Sequence, residues 1–159
     1  MTSPLQPTAD IITRAAGWKQ AIPDDDGVFR FSLEGGLNFE LFSPENSTGI
    51  LLAVLESVPR QNDEQAEDVI RRMAALAAGC MKKRRSVFSI GERGFELYRT
   101  FRIADVSENT LTAEVRDFLN DLAWWKKQFS HSASAPSQQR TSPFSFSFGD
   151  FFSDGSLQG

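Results

Sequence analysis

The chain has 159 residues, which is enough for one domain, and its 40% hydrophobic and 24% charged residues are typical of globular proteins. A net charge of −4 argues against a nucleic-acid-binding protein, because such proteins usually carry a basic surface. The single cysteine, Cys80, excludes an intrachain disulfide. No signal-peptide pattern is present, and no apolar run approaches the roughly 18 residues of a membrane span. We therefore expect a cytoplasmic protein without membrane insertion.

The first part of the chain predicts one helix followed by three strands. Residues 1–7 contain two prolines and are expected to be a flexible N-terminus, after which Thr8 can cap a helix running to about Gln20. Alternating apolar and polar residues then predict a hairpin and a third strand, at about 28–33, 37–43 and 49–57. The third strand is apolar on both faces, so we expect it to be central and to need cover on both sides.

The second part predicts a helix, a second hairpin and a last helix. The helices are expected at about 62–80 and 109–129, and the strands at 86–90 and 95–102. The order α-β-β-β-α-β-β-α indicates an α+β domain over residues 8–130, with an antiparallel sheet flanked by helices. Residues 131–159 are rich in Ser and Phe without a helical period, so we predict a disordered C-terminal tail.

A catalytic constellation is not evident in the sequence. His131 is the only histidine and is expected on the surface, and Cys80 is expected to be a small core residue. The acidic run 24–26 before Gly27 lacks the ligand spacing of a calcium loop and is typical of a turn. No glycine opens a phosphate-binding loop. We expect no enzymatic activity, no metal and no cofactor.

Apolar surface is the remaining clue to function. Fourteen phenylalanines and three tryptophans are many for one small domain. The second helix is rich in alanine, which permits close approach of another helix or a sheet. Together with the two apolar faces of the third strand, this composition predicts a protein partner.

The order and lengths of the elements, with particular segments, resemble class I type III secretion chaperones of the CesT and SycE kind. The resemblance covers residues 8–129 and rests on an amphipathic first helix, two hairpins, an apolar strand and a tryptophan-bearing last helix: ADIITRAAGWKQA, GVFRFSLEGGLNFELF, ILLAVLESVP, SVFSIGERGFELYRTF and LTAEVRDFLNDLAWWKKQF. The basic run 82–85 and the tail 130–159 depart from the family pattern.

The resemblance implies a homodimer without ATP use that binds the N-terminal segment of a secreted effector in extended form. The effector would stay soluble and export-competent until it is delivered to the secretion ATPase. Strand addition and apolar grooves would supply the binding energy. The expected client-binding residues are Ile11, Ile12, Ala15, Trp18, Phe29, Phe31, Leu37, Phe39, Leu41, Phe95, Leu97 and Phe101, with outward positions of both hairpins. The expected dimer interface comprises Val69, Ile70, Met73, Ala74, Ala77, Val87 and Phe88.

Other interpretations remain open at this stage. A regulatory or adaptor domain of the same fold would bind a folded partner, and a small-molecule-binding or enzymatic α+β protein would need a polar pocket. The basic run 82–85 could be a solvated connection or could face a client or the ATPase. In the tail, Phe144, Phe146 and Phe148 alternate with serines. That segment could be a solvated low-complexity stretch or a strand that covers the client groove.

Overall fold

The computed structural model describes residues 3–58 and 64–133. Three long helices and five strands follow the predicted order, which confirms the α+β fold. The helices are α1 (Gln6–Ala16), α2 (Glu64–Cys80) and α3 (Glu108–Ala133). The strands are β1 (Phe29–Ser32), β2 (Asn38–Phe42), β3 (Thr48–Glu56), β4 (Val87–Gly91) and β5 (Gly94–Arg102).

The five strands form one antiparallel sheet in the order β1-β2-β3-β5-β4. The long strands β3 and β5 lie in the middle, while β1 and β4 are the edges. Gly94 begins β5 with φ +129°, and a Cβ at this position would lie 2.3 Å from the carbonyl oxygen of Glu56. Glycine is therefore needed where the second hairpin passes the end of β3, next to the register shift between Val54 and Glu56.

The core lies on one face of the sheet, beneath α1 and α3. Alternate residues of β3 are buried, as expected for a strand with one face on the core. The largest fully buried side chains come from the sheet, from α2 and α3, and from the start of α1: Leu5, Phe29, Phe39, Leu41, Leu51, Met73, Phe95, Leu97, Leu111, Phe118, Leu122 and Trp125. We call this side of the sheet the helix face and the opposite side the outer face.

The first helix differs from its predicted bounds at both ends. Leu5 is its N-cap residue and is buried, and Thr8 lies buried within the first turns instead of capping the helix. Gly17, with φ +69°, ends the helix before Gln20. The Gly17 and Trp18 N–H groups donate to the Arg14 and Thr13 carbonyls, which is the Schellman pattern favoured by a left-handed glycine. The chain therefore turns away one residue before Trp18.

The last helix is longer than predicted, because α3 continues past Phe129 to Ala133. Residues 131–133, which were predicted to begin the disordered tail, therefore belong to α3. The predicted start of the second helix near residue 62 and the rest of the predicted tail, 134–159, lie outside the described residues. Among the helices of the described ranges, none is both long and apolar enough to cross a membrane.

Candidate protein-binding surfaces

Cys80 and His131 are the two side chains that the sequence offered for catalysis, and the structure shows the surroundings of each. Burial is the main cause that raises the pKa of the Cys80 thiol, so the reactive thiolate is disfavoured. His131 is exposed near the end of α3, and its Nδ1 lies 2.7 Å from the Lys127 carbonyl oxygen. Within residues 3–58 and 64–133, no three side chains of the His, Cys, Asp and Glu types are grouped to hold a metal.

The acidic run forms a turn before β1. The Asp24 carboxylate accepts hydrogen bonds from the backbone N–H groups of Asp26 and Val28, at 3.0 and 2.9 Å. The Val28 hydrogen bond is the main cause that lowers the pKa of Asp24. Gly27 supplies the positive φ of +77° that the turn requires. The run thus forms a turn, as predicted, and this turn precedes β1.

The structure divides the predicted client-binding residues between the core and the surface. Nine of the twelve are less than 10% exposed: Ile12, Phe29, Phe31, Leu37, Phe39, Leu41, Phe95, Leu97 and Phe101. A residue buried in this way has little surface for a client unless the domain rearranges. The other three are half-buried or exposed and form what we call the α1 patch: Ile11, Ala15 and Trp18. Client binding by these residues stays a prediction.

The outer face of the sheet carries a second apolar surface. Cross-strand pairing places Leu52 between Glu40 and Tyr98, and Ile50 between Phe42 and Thr100. Side chains directly opposite each other in paired strands share a face. The apolar members are half-buried and make up the outer patch: Phe42, Ile50, Leu52, Val54 and Tyr98. This patch lies on the side of the sheet opposite the core.

A group of ion pairs flanks the outer patch. Arg93, in the turn between β4 and β5, donates two hydrogen bonds of 2.9 Å to the Glu40 carboxylate. Arg30 Nε donates a third, of 3.3 Å. The Arg93 hydrogen bond is the main cause that lowers the pKa of Glu40. Because Glu40 lies opposite Leu52 on the outer face, these ion pairs adjoin the apolar side chains of the outer patch. Charged groups beside apolar side chains are common at protein-binding patches.

The predicted dimer residues lie in three different environments. Met73 is fully buried and belongs to the core, while Val69, Ile70 and Ala77 are partly buried against it. On α2, Ala74, Ala75 and Ala78 are exposed. Val87 and Phe88 lie on opposite faces of β4, since they pair with Tyr98 and Leu97. Their contact with a second copy stays a prediction.

The basic run 82–85 is partly integrated into the fold. Arg84 Nη1 donates to the Asp121 carboxylate at 2.9 Å, and the Arg84 guanidinium lies 4.3 Å from the ring centroid of Trp124. The same carboxylate accepts the Ser86 backbone N–H at 3.2 Å. Arg85 lies 3.8 Å from Glu114, whereas Lys82 and Lys83 are exposed. Arg84 thus links the start of β4 to α3. The charge pattern of the sequence did not indicate this ion pair.

Sequence reasoning missed most of the outer patch because it named the residues with the strongest alternation, and those point to the core. The signal that could have found the patch was the third strand, whose second apolar face needed cover. Once β3 is central, every residue opposite Ile50, Leu52 and Val54 belongs to the same surface.

Comparison with known proteins supports one fold. No protein-family model matches the sequence, and no curated protein matches it either. Among solved structures, a chain of the HopA1–SchA chaperone–effector complex is 17% identical with a TM-score of 0.58, covering 79% of this chain and 96% of that chain. A chain of the ExsC–ExsE complex is 15% identical with a TM-score of 0.60, covering 80% and 94%.

A third similar structure is that of the Yersinia pestis type III secretion chaperone SycH in complex with a stable fragment of YscM2. It is 10% identical with a TM-score of 0.51, covering 76% of this chain and 98% of that chain. The matched regions span nearly the full length of each of these three chains. The protein therefore has the fold of the type III secretion chaperones.

Proposed function

We propose that this protein is a type III secretion chaperone that binds the N-terminal segment of a secreted effector in extended form. The bound effector stays soluble and export-competent and is then delivered to the secretion ATPase. The observation that carries this proposal is the likeness of fold to a chain of a chaperone–effector complex, over 79% of this chain. The proposal assigns no catalytic role to the protein and places it in the bacterial cytoplasm.

The two apolar surfaces support binding of an extended chain. The α1 patch lies beside the helix face, and the outer patch lies on the other side of the sheet. Edge strand β1 is adjacent to β2, and Phe42 of β2 belongs to the outer patch. On the helix face, the ring centroids of Trp18 and of Phe31 in β1 are 6.1 Å apart. A segment that passes over β1 can therefore contact both patches, with backbone hydrogen bonds at the edge and apolar side chains on either side.

We also propose that two copies associate through the exposed surface of α2. Ala74 and Ala78 are four residues apart, so they lie on one side of the helix and permit close approach. Exposed Val87 supplies an apolar side chain in β4, the next strand along the chain. Sedimentation equilibrium at micromolar concentration should give twice the 17.7 kDa mass of one chain. A single-chain mass would contradict the dimer and leave the client proposal intact.

The client proposal is tested by co-expression with secreted proteins encoded beside this gene. The full chain should raise the amount of soluble client and co-purify with its N-terminal segment. Trp18→Asp and Leu52→Asp each place a charge in one patch and should lower the co-purified client about tenfold. Ala104→Asp is the matched control, because it adds the same charge at an exposed position that belongs to neither patch.

Two outcomes would count against the proposal. If both substitutions lower the thermal stability of the chaperone together with client binding, the side chains of the patches stabilise the fold and do not bind a client. If the partner binds only as a folded domain, and its N-terminal segment alone does not bind, the protein is a regulatory or adaptor domain of the same fold.

A further inference from the structure

A cavity lies at one end of the sheet, beside the start of the edge strand β1. Its volume is about 580 Å³, which is within the range of pockets that hold small ligands or single side chains. Three segments enclose it: the chain entering α1, the turn before β1, and the connection between β2 and β3. Residues 3–5, 23–28, 42–44 and 46 line it, and we call it the β1 pocket.

The walls of the β1 pocket are mostly apolar and partly rigid. The apolar side chains that line it are Pro4, Leu5, Pro23, Val28, Phe42 and Pro44. Each of the three enclosing segments contains one proline, and a proline fixes its own φ angle. A pocket built on stiff backbone is largely formed before a ligand binds, so less conformational entropy is lost on binding.

The charge of the β1 pocket comes from three successive carboxylates. Asp24 is already engaged, because it accepts hydrogen bonds from the N–H groups of Asp26 and Val28. Its carboxylate also pairs with Arg30. Asp25 and Asp26 are exposed and form no ion pair within the described part of the chain. The described lining residues include no lysine or arginine, so the pocket attracts a cation from a partner.

A serine hydroxyl group is the second polar feature of the pocket. Ser43 Oγ is buried, and no hydrogen-bond partner for it exists among the described residues. Buried hydroxyl groups are normally hydrogen-bonded. Because Ser43 lines the pocket and is only half-buried as a residue, rotation about its Cα–Cβ bond can bring Oγ to a ligand. The hydroxyl and the carboxylates therefore favour the same ligand, a positively charged group with several N–H donors.

The β1 pocket adjoins the proposed path of a client. Phe42 lines the pocket and also belongs to the outer patch. Val28 lines the pocket and directly precedes β1, the edge strand on that path. An extended segment that pairs with β1 and contacts Phe42 therefore brings a neighbouring side chain to the pocket.

We propose that the β1 pocket binds an arginine side chain of the extended client, an inference that rests on the function proposed above. The aliphatic part of the arginine packs against the apolar walls, and its guanidinium group pairs with Asp25 and Asp26. Arginine fits this pocket better than lysine, because its planar guanidinium group offers five N–H donors to two carboxylates and a hydroxyl group.

Two synthetic peptides test the pocket without an identified client. Both have seven residues of alternating threonine and valine; the central residue is arginine in one and citrulline, which has nearly the same shape without the charge, in the other. Amide chemical shifts of the full chain during titration should give a dissociation constant about tenfold lower for the arginine peptide. The largest shifts should fall at Asp25, Asp26 and Phe42. Equal affinity for the two peptides, or binding of neither, would overturn the proposal.

Removing the two charges connects the pocket with the client. Asp25→Asn with Asp26→Asn should abolish the preference for the arginine peptide and lower the client recovered after co-expression about tenfold. Glu92→Gln with Glu108→Gln is the matched control, because it removes two charges at exposed positions outside the pocket. Full client recovery with the aspartate variant would overturn this inference and leave the proposed function standing. Absence of any co-purified client with the wild type would overturn both.

The same variant distinguishes the client from a second copy of the chain, which also offers basic side chains at exposed Lys82 and Lys83. Sedimentation equilibrium of the aspartate variant without client should give the same mass as the wild type. A mass that falls to half of the wild-type value would show that a second copy fills the pocket, and would overturn the proposal.

Discussion

The two edge strands of the sheet are protected in different ways. The exposed positions of β1 hold Arg30 and Ser32, and the Arg30 guanidinium pairs with Asp24 and Glu40. At the other edge, β4 has no charge, and its exposed positions hold Val87 and Ile90. Charge in β1 disfavours indiscriminate strand pairing at the edge where we propose that the client binds. The described residues of β4 carry no such charge.

On the helix face, by contrast, the two edges are similar, because aromatic rings of the sheet pack there against aromatic rings of α3. At the β1 edge, Phe31 stacks on Phe39 with centroids 4.7 Å apart, and Phe39 meets Phe118 edge-on at 5.9 Å. At the β4 edge, Phe88 stacks on Trp125. The rings of α3 thus support both ends of the sheet, so the difference between the edges concerns their outward surfaces. The following changes test this comparison, from the largest expected effect on stability to the smallest.

Removing a central ring should be severe at either edge. Phe39→Ala and Trp125→Ala each empty a fully packed site and should lower the free energy of unfolding by about 3–5 kcal/mol. Urea denaturation measures the effect. Phe42→Ala, on the half-buried outer patch, is the control and should cost about 1–2 kcal/mol. Similar losses for all three variants would contradict the division into a helix face and an outer face.

Removing the carboxylate that fastens the β4 edge should be the next largest effect. Asp121 contacts Arg84 and Arg99, whose side chains are 25% and 5% exposed. Asp121→Asn leaves two guanidinium groups without that charge and should cost about 3 kcal/mol in urea denaturation. Asp117→Asn, at a half-exposed side chain on the same helix, should cost less than about 1 kcal/mol. Equal losses of unfolding free energy in the two variants would show that Asp121 stabilises the fold no more than Asp117 does.

Acid should weaken the ion pairs beside the β1 edge. The pKa of Glu40 is lowered in the folded protein, so its pairing stabilises the fold above the usual pKa of 4.5. That stability is lost as the pH falls through the lower, folded pKa. The expected loss is about 1 kcal/mol or less, because Arg93 is half-exposed. Urea denaturation of wild type and Glu40→Gln across the acid range should converge at low pH; a constant difference would contradict this.

The smallest effect on stability is expected on α2. Ala74 is exposed in the single chain, so Ala74→Arg should change the free energy of unfolding of the monomer by no more than about 0.5 kcal/mol. If α2 forms the dimer interface, the same change should halve the sedimentation mass at micromolar concentration. Ala104→Arg carries the same charge outside α2 and should leave the mass unchanged. A dimer that survives Ala74→Arg would move the interface elsewhere, with β4 the next surface to test.

Local patterns in the sequence predicted the fold well. Alternation identified the first hairpin, and a continuous apolar run identified β3. The apolar stripe of the last helix continued through Trp125 to Phe129, both of which are buried. The expected end of α1 was wrong because the left-handed Gly17 stops the helix. The prediction followed the apolar spacing on to Trp18 and did not take into account that Gly17 can end a helix.

The candidate surfaces were harder to predict, for a physical reason. The period of a strand gives two faces, but only packing decides which face is covered and by what. Phe29, Phe31, Phe39 and Leu41 alternate as a binding face would, yet α1 and α3 already cover them. The outer patch depends instead on β3 and β5 being neighbours, although α2 and β4 separate them in sequence.

The sequence by itself determined the element order and the period of each element, because these follow from the spacing of apolar residues and from turn-forming glycines. Only the tertiary structure decided that β1 and β4 are the edges, that Arg84 pairs with Asp121, and that Phe129 of α3 packs against Phe95. These are contacts between residues distant in the chain. They depend on the combined packing of helices and strands, which no local pattern encodes.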